Sequence, residues 1–191
     1  FNEELDDWAP VLERVRQSEE VIGATPFLQV EVMVSSLSNR AGAILRGIDA
    51  DTVSDVTDLG ENITHGKREY LRHPERILDS SISSKPTGAL DAMIEDAERA
   101  AAKGLPDEAP EDAMPGLIVG QELARALRLV VGDRVTVVSP RGDLGPTGPI
   151  PSTRPFRIAG IFYSGMYEYD MKHAYIDLGV AQRFLRAEGR I

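Results

Sequence analysis

Pro115-Gly-Leu-Ile-Val-Gly-Gln-Glu-Leu-Ala-Arg-Ala-Leu-Arg-Leu-Val-Val-Gly-Asp-Arg-Val-Thr-Val-Val-Ser-Pro140 decides how this chain is read. Leu117 to Val119 is a short apolar run of the kind that forms a buried strand, Gly120 offers a turn, and Gln121 to Leu129 has helical spacing. Within that helix Leu123, Ala124, Ala126 and Leu127 recur every three to four residues, while Glu122, Arg125 and Arg128 face elsewhere. Val131-Gly132-Asp133 supplies a second turn, and Arg134 to Ser139 alternates as a strand. The unit predicts an amphipathic helix packed on a sheet.

Toward the N-terminus, Asp6 or Asp7 can cap a first helix in which Pro10 is tolerable only within the first turn. Trp8, Val11, Leu12 and Val15 make its apolar face, which predicts a helix lying on a sheet. Leu28, Val30, Val32 and Val34 then alternate with Gln29, Glu31 and Met33, and Ser35 to Asn39 reads as a hairpin connection into a strand from Ala41 to Ile48. Helix, strand and strand look like part of an open α/β layer. Between Asp49 and Met114 the signal weakens, apart from a helical face formed by Ala89, Met93, Ile94, Ala97 and Ala101, with Gly104 as its stop.

Composition narrows the function. The 191 residues can bury a real core, in one domain or two small subdomains. No apolar run approaches the length of a membrane span, and no signal peptide is visible at Phe1, a first residue that suggests a fragment of a longer chain. With 31 acidic against 21 basic residues the net charge is -10, which argues against nucleic acid and anionic lipid surfaces as partners. Zero cysteines exclude a disulfide framework, a thiolate metal site and a cysteine nucleophile.

Candidate chemistry is sparse. His65, His73 and His173 show no paired metal spacing. Asp177 follows His173 by four residues, and strand alternation puts His173, Tyr175 and Asp177 on one face, which reads as a sheet edge ahead of a catalytic or metal pair. Tyr167, Glu168 and Asp170 follow Gly165 in what reads as a solvated turn ahead of a cation site. The glycines of Gly142 to Gly148 lack the following Lys-Ser/Thr of a phosphate loop. No catalytic residue, metal ligand or cofactor site is assigned.

The stretch Pro140 to Pro155, three glycines and five prolines among its residues, predicts poor sheet pairing and an exposed, partly rigid loop between two strands. Leu144 and Ile150 are bulky apolar groups that such a loop leaves in water unless a partner covers them.

The Pro115 unit resembles a recurring signature of the extracytoplasmic domain of MacB-like superfamily ABC transporter permeases. Phe156-Arg-Ile-Ala-Gly-Ile-Phe-Tyr-Ser-Gly165, Tyr169-Asp170, Ala174-Tyr-Ile-Asp-Leu178 and Ala181-Gln-Arg-Phe-Leu185 follow in that family's order. Ala43-Ile-Leu-Arg-Gly-Ile-Asp49 is similar to a family strand, with Ala50 where proline is usual. Within the superfamily the lipoprotein-releasing LolC/LolE type is the most similar. That resemblance implies an α+β fold: a porter-like α/β layer from residues 1–60 and 156–191, and an inserted β-rich subdomain from 61–155 with a helix at 87–103 and a protruding loop at 140–155. By the resemblance the loop occupies the place of the family's hook, a protruding hairpin that engages a periplasmic lipoprotein carrier, with Leu144, Pro146, Gly148, Ile150, Pro151, Thr153 and Arg154 as implied partner-binding residues; Thr147 and Pro149 stand where the family has methionine and a basic residue.

By the same resemblance the chain is not an enzyme and works at the periplasmic face of the bacterial inner membrane. The implied partners are a periplasmic lipoprotein carrier, lipoprotein cargo, a second permease subunit and a cytoplasmic ATPase that holds the ATP and magnesium. A MacB-like export domain, an FtsX-like signalling domain and, further off, a small hydrolase or metal-binding domain are the alternatives.

Overall fold

The computed structural model of the chain describes residues 5, 7–73, 76–77, 114–145, 148–187 and 189–191, and for 141–145 and 148–150 it describes the backbone. The helix expected at 87–103 lies outside the described residues. The described elements are α1 (Trp8–Arg16), β1 (Phe27–Ser35), β2 (Arg40–Ile48), β3 (Ile63–Gly66), β4 (Gly116–Gly120), α2 (Gln121–Leu127), β5 (Arg134–Gly145), β6 (Gly148–Phe162), α3 (Tyr167–Lys172), β7 (His173–Asp177) and α4 (Leu178–Leu185). Helices and one sheet make an α+β fold.

The strands bond in the order β3-β6-β4-β7-β2-β1-β5, and β5 also pairs with β6. Following β1, β2, β7, β4, β6 and β5 therefore leads back to β1. Six strands close into a ring, and β3 is added beside the second half of β6. The open layer expected for the N-terminal strands is corrected here, because β5 reaches both β1 (Met33 opposite Val138) and β6 (Val138 opposite Thr153). Strands from residues 61–155 and strands from the two ends of the chain share this one hydrogen-bonded sheet.

Alternation places the core. Leu28, Val30, Val32 and Val34 of β1 turn inward with Leu45, Leu117, Val119, Val135, Val137, Phe156, Ile158 and Ile176, and the apolar sides of α2 and α4 join them through Leu123, Leu127 and Phe184. Each such side chain stabilises the fold by roughly 1.5–3 kcal/mol. The other face of the sheet contributes Ile48, Ile118, Phe162 and Tyr175, covered by Val53, Leu59, Leu71 and Ile77. Every residue of β4 is buried for this reason: Leu117 and Val119 serve one cluster and Ile118 the other.

Helix α2 ends at Leu127, two residues before the expected Leu129. Arg128 turns left-handed (φ 56°), and Leu129 N donates to Ala124 O at 2.8 Å to close the helix. Helix α1 departs further from expectation. Asp7 is itself left-handed (φ 52°) and its side chain makes no capping bond, and only Trp8 of the expected apolar face packs against the core while Val15 stays exposed. The two described ends of the chain meet: Leu5 N donates to Ile191 O at 2.8 Å, and Ile191 N to Leu5 O at 3.3 Å.

Candidate functional site

Composition predicts a poorly paired loop at 140–155, and the structure corrects this to a β-hairpin, the shape that the resemblance to the hook implies. Strands β5 and β6 pair from Arg134 opposite Arg157 out to Gly145 opposite Gly148, with a register shift between Ser139 and Gly142. Proline composition argued against pairing, yet the register removes the conflict. Ile158 N donates to Asp133 O on the β5 side (2.8 Å), whereas Arg157 N donates to Pro115 O on the opposite side (3.0 Å). Alternate residues of β6 therefore aim their amides away from β5, and Pro149, Pro151 and Pro155 all have that parity. The hydrogens missing from these prolines are ones the ladder never uses.

The hairpin also leaves the ring. Strand β5 pairs with β1 only as far as Val138, and β6 meets β4 only from Arg157 onward. Among the described residues, Ser139 with 142–145 and 148–152 pair only with one another, as a two-stranded ribbon reaching about 15–20 Å at strand rise. At its root Phe156 is fully buried and meets Phe184 of α4 edge to face, 5.9 Å between centroids, while Arg157 Nη1 donates to Gly132 O at 2.9 Å.

Of the expected partner-binding residues, Leu144, Gly148, Ile150 and Pro151 stand in this ribbon, and Thr153 is exposed on the strand below them. Pro146 lies outside the described residues. Arg154 is not at the tip; it is half-buried near the root, where burial, and then the positive charge of Arg183 on α4, hold its guanidinium below the ordinary arginine pKa. The sequence carried no signal for this neighbour, since Arg183 comes from a different element.

The residues weighed for catalysis take structural positions. His173 and Asp177 sit at opposite ends of β7, about 13 Å apart at strand rise. Asp177 caps α4, its Oδ1 accepting from Gly179 N (2.9 Å) and Val180 N (3.3 Å). A cap was legible in the Asp ahead of Leu178-Gly-Val, and strand reasoning overlooked it. Arg72 gathers Asp177 (3.7 Å), Asp49 (2.7 Å) and Asp51, and the bond to Asp51 leads in raising the arginine pKa further. This node ties the segment after β3 to the end of β2 and the start of α4.

The expected turn at Tyr167 to Asp170 is the first part of helix α3. Asp170 is fully buried, and its Oδ1 accepts from Ser164 N (3.0 Å) and Ser164 Oγ (2.7 Å). Its Oδ2 has no hydrogen-bond partner among the described residues. Tyr167 and Glu168 point to solvent, so the trio does not converge on a cation. No group of three His, Cys, Asp or Glu among the described residues is arranged to hold a metal. A surface cleft of about 440 Å³ is lined by Ser54, Asp58, Glu61, Lys67, Arg68 and neighbours, and it includes no residue of the hairpin or of β7.

His173 stacks on Tyr169 (3.9 Å between centroids), and as neutral imidazole its Nδ1–H donates to Tyr169 O at 3.2 Å. Burial, opposed by that bond and helped by Arg46 and Lys172, lowers its pKa below the ordinary histidine value. The unfolded chain therefore binds this proton more readily, and the contribution of neutral His173 to stability is lost as pH falls below about 6.5. The thermal midpoint is expected to drop between pH 7.5 and 5.5, and His173→Gln should flatten part of that slope; an unchanged slope would contradict the assignment.

No family model matches the chain. Among curated proteins it is similar to the lipoprotein-releasing system transmembrane protein LolC of Neisseria meningitidis, 23% identical over 167 residues, covering 86% of this chain and 30% of that protein. LolC of Xylella fastidiosa is 22% identical over 185 residues, covering 97% of this chain and 35% of that protein. The chain thus spans about a third of the length of these relatives. A solved structure, the extracellular domain of the noncanonic ABC-type transporter YknZ from Gram-positive bacteria, superposes with a TM-score of 0.51 at 9% identity, covering 94% of this chain and 66% of that one. No helix among the described residues is long and apolar enough to cross a membrane. The chain is thus similar to LolC over nearly its whole length, and its fold is like that of a transporter's extracellular domain.

Proposed function

We propose that this domain serves lipoprotein release: it stands on the periplasmic face of the inner membrane and passes lipoproteins to a soluble carrier that docks on the β5–β6 hairpin. The observation that carries this reading is the two-stranded ribbon standing beyond the strand ring, with Leu144, Gly148, Ile150 and Pro151 in it. Likeness to proteins whose names state lipoprotein release supports the substrate class. The domain carries no catalysis of its own. ATP hydrolysis belongs to a cytoplasmic subunit, a second permease subunit completes the transporter, and a porter-like arrangement of the paired chain ends transmits the movement.

The test is binding of the purified domain to the periplasmic lipoprotein carrier of its own organism, beside a variant with Leu144 to Ile150 replaced by a Gly/Ser linker. Saturable binding lost in a folded variant is the expected result. No binding by the folded parent domain would overturn lipoprotein transfer and leave an export or signalling permease.

A further inference from the structure

A two-stranded ribbon that leaves its sheet has two open edges, and open edges recruit other strands. This hairpin reaches beyond β1 on one side and beyond β4 on the other.

On the β6 edge the outward positions are 149, 151, 153 and 155, fixed by Arg157 N bonding toward β4 and Ile158 N bonding toward β5. Three of the four are proline, so Thr153 is the one outward donor among them. Facing residues of an antiparallel pair either exchange both bonds or aim both away. Gly142 and Leu144, opposite Pro151 and Pro149, therefore offer the outward amides of the β5 edge. That edge is cut from the part of β5 that pairs with β1 by the register shift between Ser139 and Gly142, where Pro140 again lacks a donor. Two amides beyond a bulge are a poor template, because the bulge adds twist and ordinary strands run to five or six residues.

We infer that the hairpin is closed at both edges against strand addition, by in-register prolines on β6 and by a bulge on β5, so that it meets a partner through side chains and not by extending a sheet. A protein offering an edge strand finds one amide on β6 and two on β5. That a partner meets the hairpin rests on the proposed function; the closure of its edges does not, and it is tested without any carrier.

The experiment compares the domain with Pro149→Thr, Pro151→Thr and the double variant, using threonine because it favours strands without adding a large apolar surface. The outward parity predicts that each change restores one edge amide and leaves the β5–β6 ladder intact. Expected is self-association that tightens stepwise, by about tenfold or more in the double variant, with slowed hydrogen exchange at amides 149 to 153 in the associated form. Circular dichroism and the unfolding midpoint, unchanged from the parent, separate this from misfolding. Equal self-association of parent and double variant overturns the inference. So does association that leaves those amides exchanging freely, or collapse of both single variants.

Discussion

Gly120→Ala is expected to destabilise the domain by about 3 kcal/mol, the upper part of the range for overpacked interiors, or to prevent folding. A β-carbon at Gly120 would lie 2.0 Å from Asp170 O and 2.6 Å from Asp170 Cα. Those are backbone atoms, so no rotamer change relieves the overlap. Helix α3 would have to move off β4, and the bonds from Ser164 to buried Asp170 would shift with it. Gly42 is the control: a β-carbon there meets nothing within 4 Å. Gly42→Ala should stay within about 0.5 kcal/mol of the parent. Denaturant unfolding of the two variants checks this, and similar midpoints would contradict the packing of α3 against β4.

Phe156→Ala is expected to cost about 3–5 kcal/mol. Phe156 is fully buried where the hairpin enters the ring, opposite Val135, and its ring meets Phe184 at 83°. Truncation removes a large apolar area and one partner of an edge-to-face pair at the same place. Phe156→Leu keeps most of the volume and should cost less than half as much. Urea midpoints decide the ranking. If Phe156→Ala lost less than about 1 kcal/mol, well below the range for such truncations, the hairpin root would not be packed as described.

Local periodicity explains what was legible in the sequence. Leu28 to Val34 alternates strictly, and the strand buries those residues and exposes Phe27, Gln29, Glu31 and Met33 between them. The strand–turn–helix run from Leu117 to Leu127 holds in its elements and in buried Leu123, Ala124 and Leu127, whereas Ala126, expected on the same face, is exposed. Closure of the ring was not legible, since it depends on Val34 meeting Val137 and Val119 meeting Ala174, pairs far apart in the chain. Composition alone read the hairpin as a loop, because prolines were counted and not placed; its protrusion as a hairpin came only from the family resemblance. Pro149, Pro151 and Pro155 differ by even numbers, and that spacing already puts them on one edge. Arg154 looked like part of an exposed motif, and only the fold brings it beside Arg183.

Docking of a carrier on the hairpin, as proposed, is open to direct test. The most direct measurement places a photo-crosslinking residue at exposed Thr153 and, separately, at exposed Val130 and Tyr163, which lie outside the hairpin, in the full-length permease in cells. Capture of the periplasmic lipoprotein carrier from position 153 and not from 130 or 163 is the predicted result. Capture from 130 or 163 with none from 153, in a transporter that still releases lipoproteins, would contradict it.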